Sequence, residues 1–255
     1  MNDITMGTWA KMLSRDLVRN LTSQMTNLVM KDEGRLAEAD VIHEQLVRCG
    51  ALGRRGEVEQ FVKNFDVEIT EKTRREFAIS MHPAQIDSKL WLTEELERHC
   101  DLSVVSLVIL GAWYGMLPLI VNWRISTPSR QMICIDSDAA AGEVGARMIG
   151  SIYSNIEYRC ADAMELDYNA LDTRSPPVII NTICEHLADP SAWWARIPSG
   201  QLVAVQSNNY TACPDHISCV FSTEQFKHQC PMSELLFEGA LHFPEGDRFM
   251  LIGQR

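Results

Sequence analysis

The stretch Val108-Ile109-Leu110-Gly111-Ala112-Trp113-Tyr114-Gly115 decides how the chain folds. An apolar strand that runs into glycine can bring its backbone against a ligand, and the helix that follows offers unpaired N–H groups to an anionic part of it. Alone, a glycine pair at a strand end is equally a tight turn. The next apolar run ends in Ile135-Asp136-Ser137-Asp138, and Asp136 lies 21 residues after Gly115. At that spacing a carboxylate at the end of a second strand can accept hydrogen bonds from ribose hydroxyls. A third run ends in Cys160-Ala161-Asp162-Ala163-Met164, where Asp162 either faces the exocyclic amine of an adenine or caps a helix.

Outward from this stretch, Val104–Leu110, Gln131–Ile135, Ile156–Cys160, Pro177–Asn181 and Gln201–Gln206 read as five strands. Helix-compatible segments such as Ala139–Ser151 and Asp189–Arg196 lie between them, which predicts a parallel sheet covered on both faces. Glu234–Leu241 and Arg248–Gly253, joined by His242-Phe243-Pro244-Glu245-Gly246-Asp247, read as an antiparallel edge hairpin. Before Cys100 the periodicity is helical, in Leu13, Leu17, Leu21 and Met25 and again in Leu36, Val41 and Leu46. Glycines 50, 53 and 56 break that region, and Pro83 opens a helix running to Arg98. The division expected is a helical domain or lid over residues 1–100 and an α/β domain over residues 101–255.

The chain has 255 residues, 46% hydrophobic and 22% charged, which is the composition of a folded globular protein. Residues 1–100 carry 14 Lys and Arg against 17 Asp and Glu, and residues 101–255 carry 9 against 17, with Lys227 as their only lysine. A surface of that sign does not suit a phosphate backbone, so nucleic acid is not the expected partner. Val104–Val121, the most apolar stretch, is interrupted by Gly111, Gly115 and Pro118 and reads as strand, turn and helix rather than a membrane span. No basic region followed by an apolar core opens the sequence, so a cytoplasmic location is expected. The eight cysteines form no C-x-x-C pair, and Cys134 and Cys160 read as small hydrophobes in strands. Cys213, His216, Cys219, His228 and Cys230 match no common zinc spacing, and no metal is expected.

With the three elements in this order, residues 104–255 resemble class I S-adenosylmethionine (SAM)-dependent methyltransferases, with Leu110-Gly111-Ala112-Trp113-Tyr114-Gly115 in place of the family's fuller glycine motif. The resemblance implies a Rossmann-like, mostly parallel sheet with an antiparallel terminal hairpin, and SAM as cosubstrate. Gly111 and Gly115 would then lie along the amino-acid part of SAM, Asp136 would hold the ribose, and Asp162 with Ala163 would border the adenine. Two departures stand out. Ala112, Trp113 and Tyr114 replace the middle glycine, and the fourth strand ends in Asn181-Thr182-Ile183-Cys184-Glu185-His186, unlike the N-P-P-Y sequence of amino-methylating nucleic-acid enzymes. A nicotinamide dehydrogenase would want G-x-G-x-x-G directly after the first strand, and this chain lacks it.

Trp113 and Tyr114 are placed either as aromatic faces for a sulfonium, worth roughly 0.5–2 kcal/mol per ring, or as packing against the helical lead. Asn181 with Thr182, and Ser207-Asn208-Asn209-Tyr210, crowd polar groups at the ends of strands four and five. Such density suggests hydrogen bonding to a substrate. Asn181 and Ser207 are the expected orienters of an attacking amine or hydroxyl, Glu185 or His186 a general base or a surface pair, and His82, Gln85 and Lys89 candidates to reach the SAM carboxylate or an acceptor. The leading expectation is methyl transfer to a small molecule, with a homodimer left open. In size and helical lead the chain also resembles the azetidine-2-carboxylate synthases, in which the SAM amine attacks its own γ-carbon; Tyr210 or Tyr114 would then hold the sulfonium. A non-catalytic SAM or nucleotide sensor is the alternative of another class.

Overall fold

A computed structural model describes residues 14–30, 60, 64, 70–125 and 131–255. The expected break at residues 49–56 and the periodic Leu13, Leu36, Val41 and Leu46 lie outside them. Among the described residues three continuous helices precede the sheet: α1 (Arg15–Met30), α2 (Glu71–Ser80) and α3 (Pro83–His99). Helix α2 starts where the Thr70 hydroxyl accepts from the Thr73 N–H. Helix α3 starts at His82, whose ring accepts from the Ala84 N–H, with Pro83 in the first turn.

The sheet follows, with β1 (Ser106–Leu110), β2 (Gln131–Asp136), β3 (Ile156–Cys160), β4 (Pro177–Asn181), β5 (Leu202–Asn208), β6 (Glu234–Phe243) and β7 (Gly246–Gln254). Its order is β3-β2-β1-β4-β5-β7-β6, and only β7 runs against its neighbours β5 and β6. Between the strands lie α4 (Met116–Arg124), α5 (Ala139–Gly145), α6 (Pro190–Arg196) and α7 (Thr223–Gln229). Strand β1 is buried throughout, as a central parallel strand covered on both faces must be.

All five expected parallel strands are present, and so is the hairpin. Their ends differ for local reasons. Strand β1 begins two residues late because Asp101 folds a turn, its carboxylate accepting from the Ser103 N–H at 2.9 Å and its carbonyl from the Val104 N–H at 3.2 Å. Strands β6 and β7 extend into the linker and leave Pro244-Glu245 between them. The expected helix over Ala139–Ser151 is α-helical only to Gly145 and then widens into a π-turn over Ala146–Gly150. Cys134 is buried as expected, but Cys160, at the edge-strand terminus, is exposed.

One apolar cluster joins α1–α5 to one sheet face through Leu21, Phe77, Leu90, Leu107, Ile120 and Ile180; a second joins α6 and α7 to the other face through Val108, Ile179, Trp193, Val205 and Phe226. A buried polar contact fixes α3 within the first cluster. The Ser88 hydroxyl donates to Gln206 Oε1 at 3.0 Å, and Gln206 Nε2 donates to the Ser88 carbonyl at 3.2 Å. Among the described residues no helix is long and apolar enough to cross a membrane. Connections leave β1 and β4 toward opposite flanks, so a crevice opens at the carboxyl ends of these two neighbours. Ser88→Ala strands Gln206 Oε1 in the interior; urea unfolding should register a loss of about 1–3 kcal/mol.

Candidate functional site

The crevice between β1 and β4 is a cleft of about 410 Å³, and its first wall is the turn after β1. Gly111 has φ +66°, and a Cβ there would stand 2.2 Å from Ile183 Cγ2, so only glycine lets the two strand ends approach this closely. Gly115 has φ +84°, and a Cβ there would overlap the Tyr158 hydroxyl at 1.9 Å. Trp113, between them, is the one non-glycine residue with a positive φ among the described residues. Its N–H donates to Asp136 Oδ2 at 2.7 Å, and the Asp138 N–H donates to Asp136 Oδ1 at 2.9 Å. Asp136 therefore ties the turn after β1 to the turn after β2.

Gly111, Ala112, Trp113, Tyr114 and Asp136 all line the cleft. The buried Tyr114 packs on Phe77 and Trp113 and donates its hydroxyl to Glu76 Oε2 of α2 at 2.9 Å. Burial, with the Glu76 carboxylate second, pushes its pKa upward, so this hydroxyl stays protonated.

The opposite wall comes from the turn after β4. Asn181 Oδ1 accepts from the Ile183 N–H at 2.9 Å, which bends the chain into a 3₁₀ turn over Cys184–His186. Glu185 is 2% exposed; its Oε1 accepts from Asn208 Nδ2 and, at 3.2 Å, from Arg248 Nη1, while Oε2 has no partner among the described residues. His186, on the exposed rim, meets His216 edge-on with ring centroids 4.6 Å apart. Desolvation lowers the His186 pKa.

From the helical side, Gln85 and Lys89 of α3 reach the cleft. Lys89 Nζ donates to Gln85 Oε1 at 2.8 Å. Part of the Lys89 side chain stays open to the cleft while its ammonium is enclosed by protein, and its pKa falls to about 7. Burial is the main cause, the Arg248 charge adds to it, and Glu185 opposes both.

Seven other residues singled out in the sequence do not line this cleft. Gly115 caps α4. Asp162 is exposed and accepts from the Met164 N–H at 2.8 Å, with Ala163 buried beside it. Asn181 and Ser207 are wholly buried, and Asn181 Nδ2 and Ser207 Oγ have no partner among the described residues. Tyr210 is 40% exposed and packs edge-on against His216. His82 caps α3 instead of entering the cleft.

Arg248 was not singled out. It stands opposite Asn208 in the β5–β7 register, and its signal was one arginine opening the apolar run Phe249–Ile252. His216, noted only with the cysteines, lines the cleft beside Asp215.

No protein-family model and no curated protein matches the chain. Among solved structures, the N-methyltransferase NodS from Bradyrhizobium japonicum WM9, in complex with S-adenosyl-L-homocysteine, superposes with a TM-score of 0.52 at 10% identity, over 68% of this chain and 88% of that one. The [4+2]-cyclase SpnF superposes with a TM-score of 0.50 at 14% identity, over 68% and 82%. The chain has the Rossmann-like methyltransferase fold. Identities this low establish architecture and leave the chemistry to the residues of the cleft.

A lysine whose folded-state pKa lies near 7 binds fewer protons than its unfolded counterpart between about pH 7 and 10.5, so its burial costs most at low pH and less as pH rises. Thermal unfolding of Lys89→Met should accordingly show a larger gain over the parent at pH 6 than at pH 9.

Proposed function

We propose that the protein is a SAM-utilising enzyme, most simply a methyltransferase acting on a small molecule. The observation that carries this reading is the carboxylate of Asp136, held beside the left-handed turn Gly111–Gly115 at the β1/β4 crevice. Ligands of open α/β sheets occupy such crevices, and a carboxylate at the end of the second strand suits the ribose hydroxyls. In this reading Asp136 accepts from those hydroxyls with the lone pairs that its two backbone donors leave over, and Gly111 with Ala112 runs along the amino-acid part. Trp113 offers a ring face to the sulfonium. Lys89 and Arg248 supply positive charge for a carboxylate, and Glu185 supplies negative charge for an amine.

Helices α2 and α3 supply part of the cover that keeps water from the reacting groups, as in-line methyl transfer requires. At about 410 Å³ the cleft falls toward the small end of the roughly 300–1,000 Å³ typical of ligand pockets, which supports a small acceptor. The acidic balance of residues 101–255 supports the same choice over nucleic acid.

The modest volume also favours a second reading in which SAM is the sole substrate. Its own amine would attack the γ-carbon, forming a C–N bond as the C–S bond breaks, and the amine proton would leave to solvent or a nearby base. Methylthioadenosine and azetidine-2-carboxylate would result.

Incubation of the purified protein with SAM alone, followed by mass spectrometry, separates the two. Intact bound SAM with at most traces of S-adenosylhomocysteine is the expected result for a methyltransferase; methylthioadenosine with a cyclic amino acid would establish the cyclase, and absence of any binding would refute both. Asp136→Ala should weaken SAM affinity at least tenfold by calorimetry, since hydrogen bonds to a charged group are worth about 1.5–3 kcal/mol. Unchanged affinity would dismiss the ribose role.

A further inference from the structure

Glu185, His186 and His216 come from two separate turns, which the Ser218 N–H joins by donating to the Glu185 carbonyl at 2.9 Å. One ligand-capable atom from each, a carboxylate oxygen and two imidazole nitrogens, lies within 4.8 Å of the others. Two of the three, His216 and Glu185, are oriented by outer hydrogen bonds of the kind that orient metal ligands. His216 Nδ1 lies 2.7 Å from the Tyr210 carbonyl, which can only accept; Nδ1 is therefore the protonated nitrogen, and the Nε2 lone pair is free. Glu185 is oriented by Asn208 and Arg248 acting on Oε1, while Oε2 is enclosed with no hydrogen-bond partner among the described residues. An enclosed carboxylate oxygen without a partner is costly, and a cation offsets that cost.

From this geometry we infer that Glu185, His186 and His216 bind a divalent first-row transition metal at the rim of the cleft. Two imidazoles and one carboxylate suit zinc, cobalt or manganese and disfavour calcium and magnesium, which prefer all-oxygen shells. Three protein ligands leave coordination positions open on the cleft side, where an oxygen or nitrogen of a bound small molecule could enter.

The inference stands on these residues alone and does not depend on SAM being the ligand. Its constellation differs from the cysteine-rich grouping of residues 213–230: of those five residues only His216 takes part.

The test is a titration of the full-length, chelator-treated protein with Co²⁺ in the absence of SAM, followed by visible absorption and by equilibrium dialysis. One ion per chain is expected, with d–d bands and no thiolate charge-transfer band. His216→Ala and His186→Ala should each weaken binding by more than about 100-fold, because loss of even an outer partner of a ligand costs about 10–100-fold. His228→Ala, an exposed histidine outside the group, should bind as the parent does. If His216→Ala fails to fold, as judged by its unfolding curve, His186→Asn on the rim decides the matter. Absence of a bound ion, a thiolate band, or binding that survives loss of either histidine would overturn the site. A failure of SAM to bind would leave this titration unchanged, so the two readings fail separately.

Discussion

The hydrogen bond from the Trp113 N–H to Asp136 is the contact on which the rest of the crevice depends. It accompanies three positive φ values within five residues, Gly111, Trp113 and Gly115, and a positive φ at tryptophan persists only where the surroundings over-determine it. The second backbone donor to Asp136, from Asp138, leads directly into α5, because Asp138 caps that helix through Ala140 and Ala141. A single carboxylate thus fastens the turn after β1 and lies two residues before Asp138, the cap of the helix after β2. That geometry shapes one wall of the opening that the strand order creates between β1 and β4.

A second constraint is charge taken out of water. Glu185 is nearly fully enclosed and lies between the two chain segments that follow β4 and β5; it survives there because Arg248 and Asn208 share one of its oxygens. Removing either partner would leave the carboxylate under-compensated, and such losses are dearer than the pair itself is stabilising. Lys89 feels the same field from the other side, pulled toward neutrality by burial and by Arg248 and toward charge by Glu185. The polar character of the cleft floor is therefore one coupled arrangement rather than a set of independent side chains.

Much of the architecture was legible because it is written in local signals. The apolar runs of β1, β2 and β4 are uninterrupted, Pro83 and Asp189 mark helix starts, and the spacing from Gly115 to Asp136 fixes two turns relative to each other. The edge of the cleft was less legible. Arg248 belongs to a hairpin that is last in sequence yet lies beside β5, so its approach to Glu185 is a consequence of strand order that no local pattern records. His216 carried a signal only as one of a group with cysteines, and its meeting with His186 joins two turns 30 residues apart in sequence. Asn181 and Ser207 show the converse: polar residues at strand ends look alike in sequence whether they face the cleft or lie sealed beneath it, and here both are sealed.

The anchoring of α3 carries a mechanical consequence. Ser88 and Gln206 bolt this helix to strand β5 one residue before Lys89, so the backbone from which the lysine projects is tied to the sheet. Helix α2 is held differently, its Glu76 gripping the cleft through the Tyr114 hydroxyl. The two helices bordering the cleft are therefore moored at different places, α3 to strand β5 and α2 to the turn that follows β1.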